Sequence, residues 1–147
     1  MAQHAGQELP LMDIMCNLLG AAFLLPLGAA LGSFFEVVLD RVPRGESLLW
    51  PPSHCRVCRR RLTADELVPV ISYLVQRGRC RACDSPIGRG VPIREGLSGL
   101  ALSLPWAFGG CDHPIVALIA GLVLLVAIWL AQGIRQARRS PPGSARN

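Results

Sequence analysis

The stretch IMCNLLGAAFLLPLGAALGSFF, residues 14–35, decides the fold class: 22 residues without a charge, set between Asp13 and Glu36. At 1.5 Å per residue, such a run reaches across a hydrocarbon layer of about 30 Å as a single helix. It is read as a first membrane span, 14–40 with its polar end. A cleaved signal peptide is the competing reading, but the amino end lacks a basic segment and the run exceeds a signal core. The remaining composition agrees. Of 147 residues, 51% are hydrophobic, 17% charged and only 5% aromatic, with mean hydropathy +0.39. That balance suits spanning helices and excludes a long parallel-sheet nucleotide domain.

Two more apolar runs follow. Gly96 to Cys111 is uncharged but short and contains Pro105, and Pro114 to Ile134 is 21 residues rich in Leu, Ile and Val. They predict a second span over 95–111 and a third over 114–134. The expected fold is therefore an all-α integral membrane protein with about three transmembrane helices.

Charge is sorted along the chain. All 15 basic residues are Arg, and the formal balance is −4 over 1–40, +7 over 41–94, −2 over 95–134 and +4 over 135–147. Arg-rich segments next to span ends stay in the cytoplasm. This places loop 41–94 and tail 135–147 inside, and segment 1–13 and the Gly109 to His113 turn outside, as three spans require. Residues 140–147 have the composition of a disordered end.

Within the loop, Cys55-Arg56-Val57-Cys58 and Cys80-Arg81-Ala82-Cys83 form two Cys-x-x-Cys pairs separated by 21 residues. This is the spacing of a structural four-thiolate zinc site, with Cys55, Cys58, Cys80 and Cys83 as ligands and no open position for water. Disulfides are the alternative, but a cytoplasmic loop lies in a reducing compartment. His54 is read as a turn residue. Arg56, Arg59, Arg60, Arg61, Arg77, Arg79 and Arg81 crowd the metal, yet only Trp50 and Tyr73 are available for stacking on bases. Anionic membrane lipids are thus expected as the partner, and nucleic acid is not. Cys16 and Cys111 read as isolated small apolar residues.

Several motifs occur in one order: Gly32-Ser33-Phe34-Phe35-Glu36-Val37-Val38, Arg41-Val42-Pro43, Pro52-Ser53-His54-Cys55, Val68-Pro69-Val70-Ile71-Ser72-Tyr73, Arg77-Gly78-Arg79-Cys80-Arg81-Ala82-Cys83, Pro86-Ile87-Gly88 and Pro92-Ile93-Arg94-Glu95. Together they resemble the amino-terminal region of bacterial prepilin peptidases of the A24 type. The resemblance implies a multi-pass protein of the bacterial inner membrane acting on prepilins or pseudopilins of type IV pilus and type II secretion systems. It also implies N-methylation from S-adenosylmethionine after leader cleavage, with zinc on the four cysteines. Gly78 matches a glycine linked to methyl transfer, and Glu95 matches the glutamate opening the second span.

The departures shape the expected activity. Leader cleavage in that family uses two aspartates at the cytoplasmic ends of later helices, acting as a carboxylate pair. Here Asp13, Asp40, Asp65, Asp84 and Asp112 all lie outside the span interiors, and the first catalytic position falls near Gln132. Gly109-Gly110-Cys111-Asp112 reads as an outer turn. The chain alone is expected not to cleave a peptide bond, so a separate aspartate-bearing subunit would have to supply that step. Glu36 stands where the family has Asn. Glu36, Asp40 and Glu95 are the carboxylates near the cytoplasmic surface. Glu36, Gly78 and Glu95 are the candidate residues for methyl transfer, with a carboxylate–Arg network that fixes helix depth as the alternative. Arg41, Arg44 or Arg94 would supply the cation. No stretch spells a methyl-donor site. A catalytically silent zinc-binding partner, or one half of a split peptidase, is the second class of function.

Overall fold

The computed structural model describes residues 8–139. Among the described residues four helices occur: α1 (Glu8–Arg41), α2 (Ile71–Val75), α3 (Gly90–Ala107) and α4 (Pro114–Arg139), with 3-10 turns at Val42–Arg44 and Ala64–Leu67. No strand is present among the described residues, only the isolated bridges His54 to Arg61 and Arg79 to Pro86. Among the described residues two helices are long and apolar enough to cross a membrane, over Leu11–Arg44 and Pro114–Arg138, with mean hydropathies of 2.0 and 2.7. Only 11% and 17% of those windows are buried inside the molecule, so neither is the core helix of a water-soluble domain. Leu19, Phe23, Ile115 and Val116 stand exposed, an apolar surface that lipid rather than water must cover. The chain is an all-α membrane protein.

The first expected span, 14–40, lies within α1, which begins earlier, at Glu8. Where a second span was expected over 95–111, α3 opens at Gly90 and stops at Ala107, and Phe108 to His113 make the turn into α4. Its 18 residues span about 27 Å. Helix α4 continues past the expected end of the third span at 134, through Arg139. Gln, Ala and Arg favour helix, and cations complement the negative end of the helix dipole. Residues 140–147 lie outside the described residues, as do residues 1–7.

Small residues set the packing of α1 on α3. A Cβ on Gly28 would meet the Ser98 carbonyl oxygen at 2.5 Å, one on Gly32 the Ser98 Oγ at 2.6 Å, and one on Gly99 the Leu25 carbonyl at 2.7 Å. Gly28-Ala-Ala-Leu-Gly32 is thus a Gly-x-x-x-Gly seam that brings two backbones together, where lipid-bathed helices gain dispersion contacts. Helix α4 packs on α3 around buried Ala101, Leu102 and Leu125. Trp129 stacks on Phe35 with ring centroids 4.2 Å apart and donates to Ser98 Oγ at 3.4 Å.

Cys16 and Cys111, expected as isolated apolar residues, are instead joined by a disulfide across 95 residues, with Cα atoms 6.2 Å apart. The residues are too far apart in sequence for spacing to reveal the pair. The tertiary fold brings the start of α1 beside the α3–α4 turn, where Cys111 N–H donates to Asn17 Oδ1 at 2.9 Å.

Candidate metal centre and its link to the helices

Each cysteine pair sits in a tight knuckle of the same construction. Cys55 N–H donates to the Arg60 carbonyl and Arg59 N–H to the Cys55 carbonyl, at 2.9 and 3.0 Å. In the second knuckle Cys80 N–H donates to the Ser85 carbonyl and Asp84 N–H to the Cys80 carbonyl, both at 2.9 Å. The residue after the last cysteine turns left-handed in both, at Arg59 (φ 61°) and Asp84 (φ 54°). This turn folds the chain back so that both sulfurs of a pair face the same way. The bridges His54 to Arg61 and Arg79 to Pro86 close the two knuckle bases.

The knuckles bring four sulfurs together. Their Sγ atoms all lie within 4.8 Å of one another, with Cys55 to Cys83 at 3.8 Å and Cys58 to Cys80 at 4.0 Å. A tetrahedron with zinc–sulfur bonds of about 2.3 Å has edges of about 3.8 Å, so the donor set fits zinc in size and chemistry. Backbone N–H groups of Cys58 and Val57 and the Ser85 hydroxyl hold the Cys55 thiol down at about 5. The Ser85 hydroxyl and N–H likewise lower Cys83. At Cys58 the Arg60 N–H acts downward but is outweighed by desolvation and the neighbouring sulfurs, which push it up to about 11. Adjacent sulfurs cannot all carry charge by themselves, and a dication removes that conflict. Ser85 Oγ, 3.1 Å from Cys83 Sγ and 3.6 Å from Cys55 Sγ, braces the cluster. His54, read from the sequence as a turn residue, stands instead in the bridge at the base of the first knuckle, where its Nδ1 pairs with the Pro52 carbonyl and its Nε2 with Arg59.

Between the knuckles lies an acidic clamp that the sequence reading passed over. Arg60 of the first knuckle donates to both carboxylate oxygens of Glu66, at 2.6 and 2.9 Å. Arg81 of the second donates to Asp65 at 2.6 Å. The signal was local: Thr63-Ala64-Asp65-Glu66 is a capping box, and Thr63 N–H and hydroxyl both donate to Glu66 Oε2 at 3.0 Å. Arg59, Arg60, Arg79 and Arg81 are therefore spent in part on holding the loop.

The three candidate residues for methyl transfer are connected through the structure. Glu36 is held by Arg94 through both guanidinium nitrogens Nε and Nη2, the latter at 2.7 Å, so α1 is tied to α3 by a bidentate pair. Glu95, buried on α3, accepts from Val70 N–H at 2.8 Å. Val70 has φ 60° and ψ −50°, and Ile71 N–H donates to the Pro69 carbonyl. This is a γ-turn of the rare, strained hand, held here at a β-branched residue. Helix α2 follows directly, and its Tyr73 lies against Gly78, which sits at φ 70° with the Tyr73 hydroxyl 2.8 Å from where a Cβ would be. Glu95 thus connects α3 through Val70 and α2 to the turn that opens the second knuckle. Asp40, the like-charged neighbour of Glu36, pairs instead with Arg44 at 2.7 Å and Arg56 at 3.7 Å. Arg41, buried at the end of α1, donates to the Ser47 and Pro51 carbonyls at 2.8 and 2.7 Å. Open surface hollows are lined by Asp112 to Val116 and by the α4 face from Ile119 to Leu130, and neither is lined by Glu36, Gly78 or Glu95.

No solved structure matches the chain. Among curated proteins it is 32% identical over 150 residues to a prepilin leader peptidase/N-methyltransferase of Myxococcus xanthus, covering 85% of this chain and 45% of that protein. One of the same name from Klebsiella pneumoniae is 34% identical, covering 79% and 52%, and one from Bacillus subtilis is 39% identical, covering 50% and 30%. The chain spans about half the length of the first two and less of the third. Residues 27–108 match the family described as Bacterial Peptidase A24 N-terminal domain. That stretch is more than half of the chain and contains the four-sulfur cluster, Gly78 and both ion-paired helix ends, and the chain therefore belongs to this family.

Proposed function

We propose that the protein is a zinc-scaffolded module of the inner membrane that takes part in N-terminal processing of type IV prepilins or type II pseudopilins. In this reading the zinc loop lies in the cytoplasm, residues 1–13 lie outside, and the chain crosses the membrane along α1, α3 and α4. The segment 41–94 serves the N-methylation part of the process, with S-adenosylmethionine as the methyl donor that the resemblance implies. The observation that carries the reading is the coincidence of the matched domain with the four-sulfur cluster and the Glu36, Gly78 and Glu95 positions. Leader cleavage would rest on an aspartate-bearing partner. Mass spectrometry of processed pilin from cells with and without the protein tests this. The N-terminal methyl mark should disappear on deletion, and an unchanged mark on cleaved pilin would defeat the methyltransferase reading.

One observation favours a second reading, a catalytically silent zinc-binding partner. The Glu36 carboxylate is engaged by Arg94, and one Glu95 oxygen by Val70, as expected of residues that position helices. Exchanging the pair, Glu36→Arg with Arg94→Glu, separates the two. A positioning pair keeps its effect on pilin processing when reversed, whereas a carboxylate that meets the amine does not.

A further inference from the structure

We propose that the Cys16–Cys111 disulfide is an outer-face clasp, closed by oxidation on the side of the membrane opposite the four-sulfur cluster. One chain would thereby keep two thiol chemistries in two compartments. The inference rests on the membrane-spanning reading and is independent of methyl transfer.

Cys16 lies early in α1, and α1 ends at Arg41, where Asp40 pairs with Arg56 of the first knuckle at 3.7 Å. The 25 residues from Cys16 to Arg41 rise about 37 Å, so disulfide and cluster stand a bilayer apart. At one end two sulfurs are bonded to each other; at the other, four sulfurs within 4.8 Å of one another form no disulfide. An oxidising compartment that closed the first pair would also close neighbours as near as these, while a reducing one would open the first. Opposite faces of a membrane satisfy both.

The clasp also supplies what the packing lacks. The bonds of α4 to α1, the Phe35–Trp129 stack and Gln136 to the Leu39 carbonyl, lie toward the loop end. Near the opposite end, Cys111 N–H to Asn17 Oδ1 seats the turn, and the disulfide makes the junction covalent. It closes by exchange: the Cys16 and Cys111 thiols give up two protons and two electrons to an oxidised protein disulfide of the outer compartment, which becomes a dithiol.

The test uses the full chain in right-side-out vesicles of its host membrane, with a membrane-impermeant polyethylene glycol maleimide. The unaltered chain takes no label without reductant and two labels after a membrane-impermeant phosphine, both mapping to Cys16 and Cys111. Cys16→Ser and Cys111→Ser each take one label without reductant. Vesicles from cells lacking the outer compartment's thiol oxidase take two. Two labels on the unaltered chain without reductant would overturn the proposal, as would labels mapping from outside to Cys55, Cys58, Cys80 or Cys83.

Discussion

At Gly78 the left-handed backbone and the Tyr73 ring leave room for a hydrogen and nothing larger. A Cβ there costs about 1–2 kcal/mol from the backbone alone, before any displacement of Tyr73. Gly78→Ala should therefore lower the denaturation midpoint of the zinc-loaded protein, and Tyr73→Ala in the same chain should recover only the steric part. If Gly78→Ala melts like the unaltered chain, the turn has been misread. Gly78 thus has a structural duty whether or not it serves methyl transfer. Glu66 is the other decisive residue. Arg60, the Thr63 N–H and the Thr63 hydroxyl hold its carboxyl below the usual 4.5. A lowered carboxyl contributes stability that is complete above the unfolded value and fades as pH falls through the folded one. The stability difference between the unaltered chain and Glu66→Gln should be about 1–3 kcal/mol at neutral pH, since the change removes charge from buried hydrogen bonds. It should shrink below about pH 4.5, which urea titration at several pH values checks.

At the scale of elements, glycine decides how near α1 and α3 approach. Gly28→Leu forces a side chain into the Ser98–Gly99 backbone and should destabilise the helix pair by about 1–3 kcal/mol, the usual cost of overpacking. Gly96→Ala, also on α3 but with nothing within 4 Å of its Cβ position, should be neutral or slightly stabilising. Thermal denaturation in detergent compares the two, and equal losses would show that close approach is not what the seam provides. Much of this element was legible in the sequence as Gly28-x-x-x-Gly32, a motif that a count of apolar residues overlooks. Its partner was not legible, because Ser98 and Gly99 are identified only once α3 is laid against α1.

For the whole molecule, a metal on the four sulfurs would join the two knuckles into one unit. The purified chain should hold about one zinc, and Cys58→Ser or Cys83→Ser should lose it, because three thiolates leave an open shell. Elemental analysis that finds no zinc in the unaltered chain would remove the model of a structural metal. Orientation is tested separately: a reporter fused after Arg61 should read cytoplasmic, and one after Asp112 external. The opposite result would reverse the charge argument and the clasp argument together.

The sequence by itself determined the helical membrane class and the four-sulfur site, because both are local. A span needs an uninterrupted apolar run such as residues 14–35, and a knuckle needs two cysteines three positions apart. Tertiary structure alone decided which charges neutralise one another and which cysteines join. The Glu36–Arg94 pair closes across 58 residues and Cys16–Cys111 across 95, distances over which spacing carries no information. It also decided how the candidate residues are used. Glu95 reads in sequence as a carboxylate at a span end, and only the folded loop shows it holding the strained Val70 turn through a buried hydrogen bond.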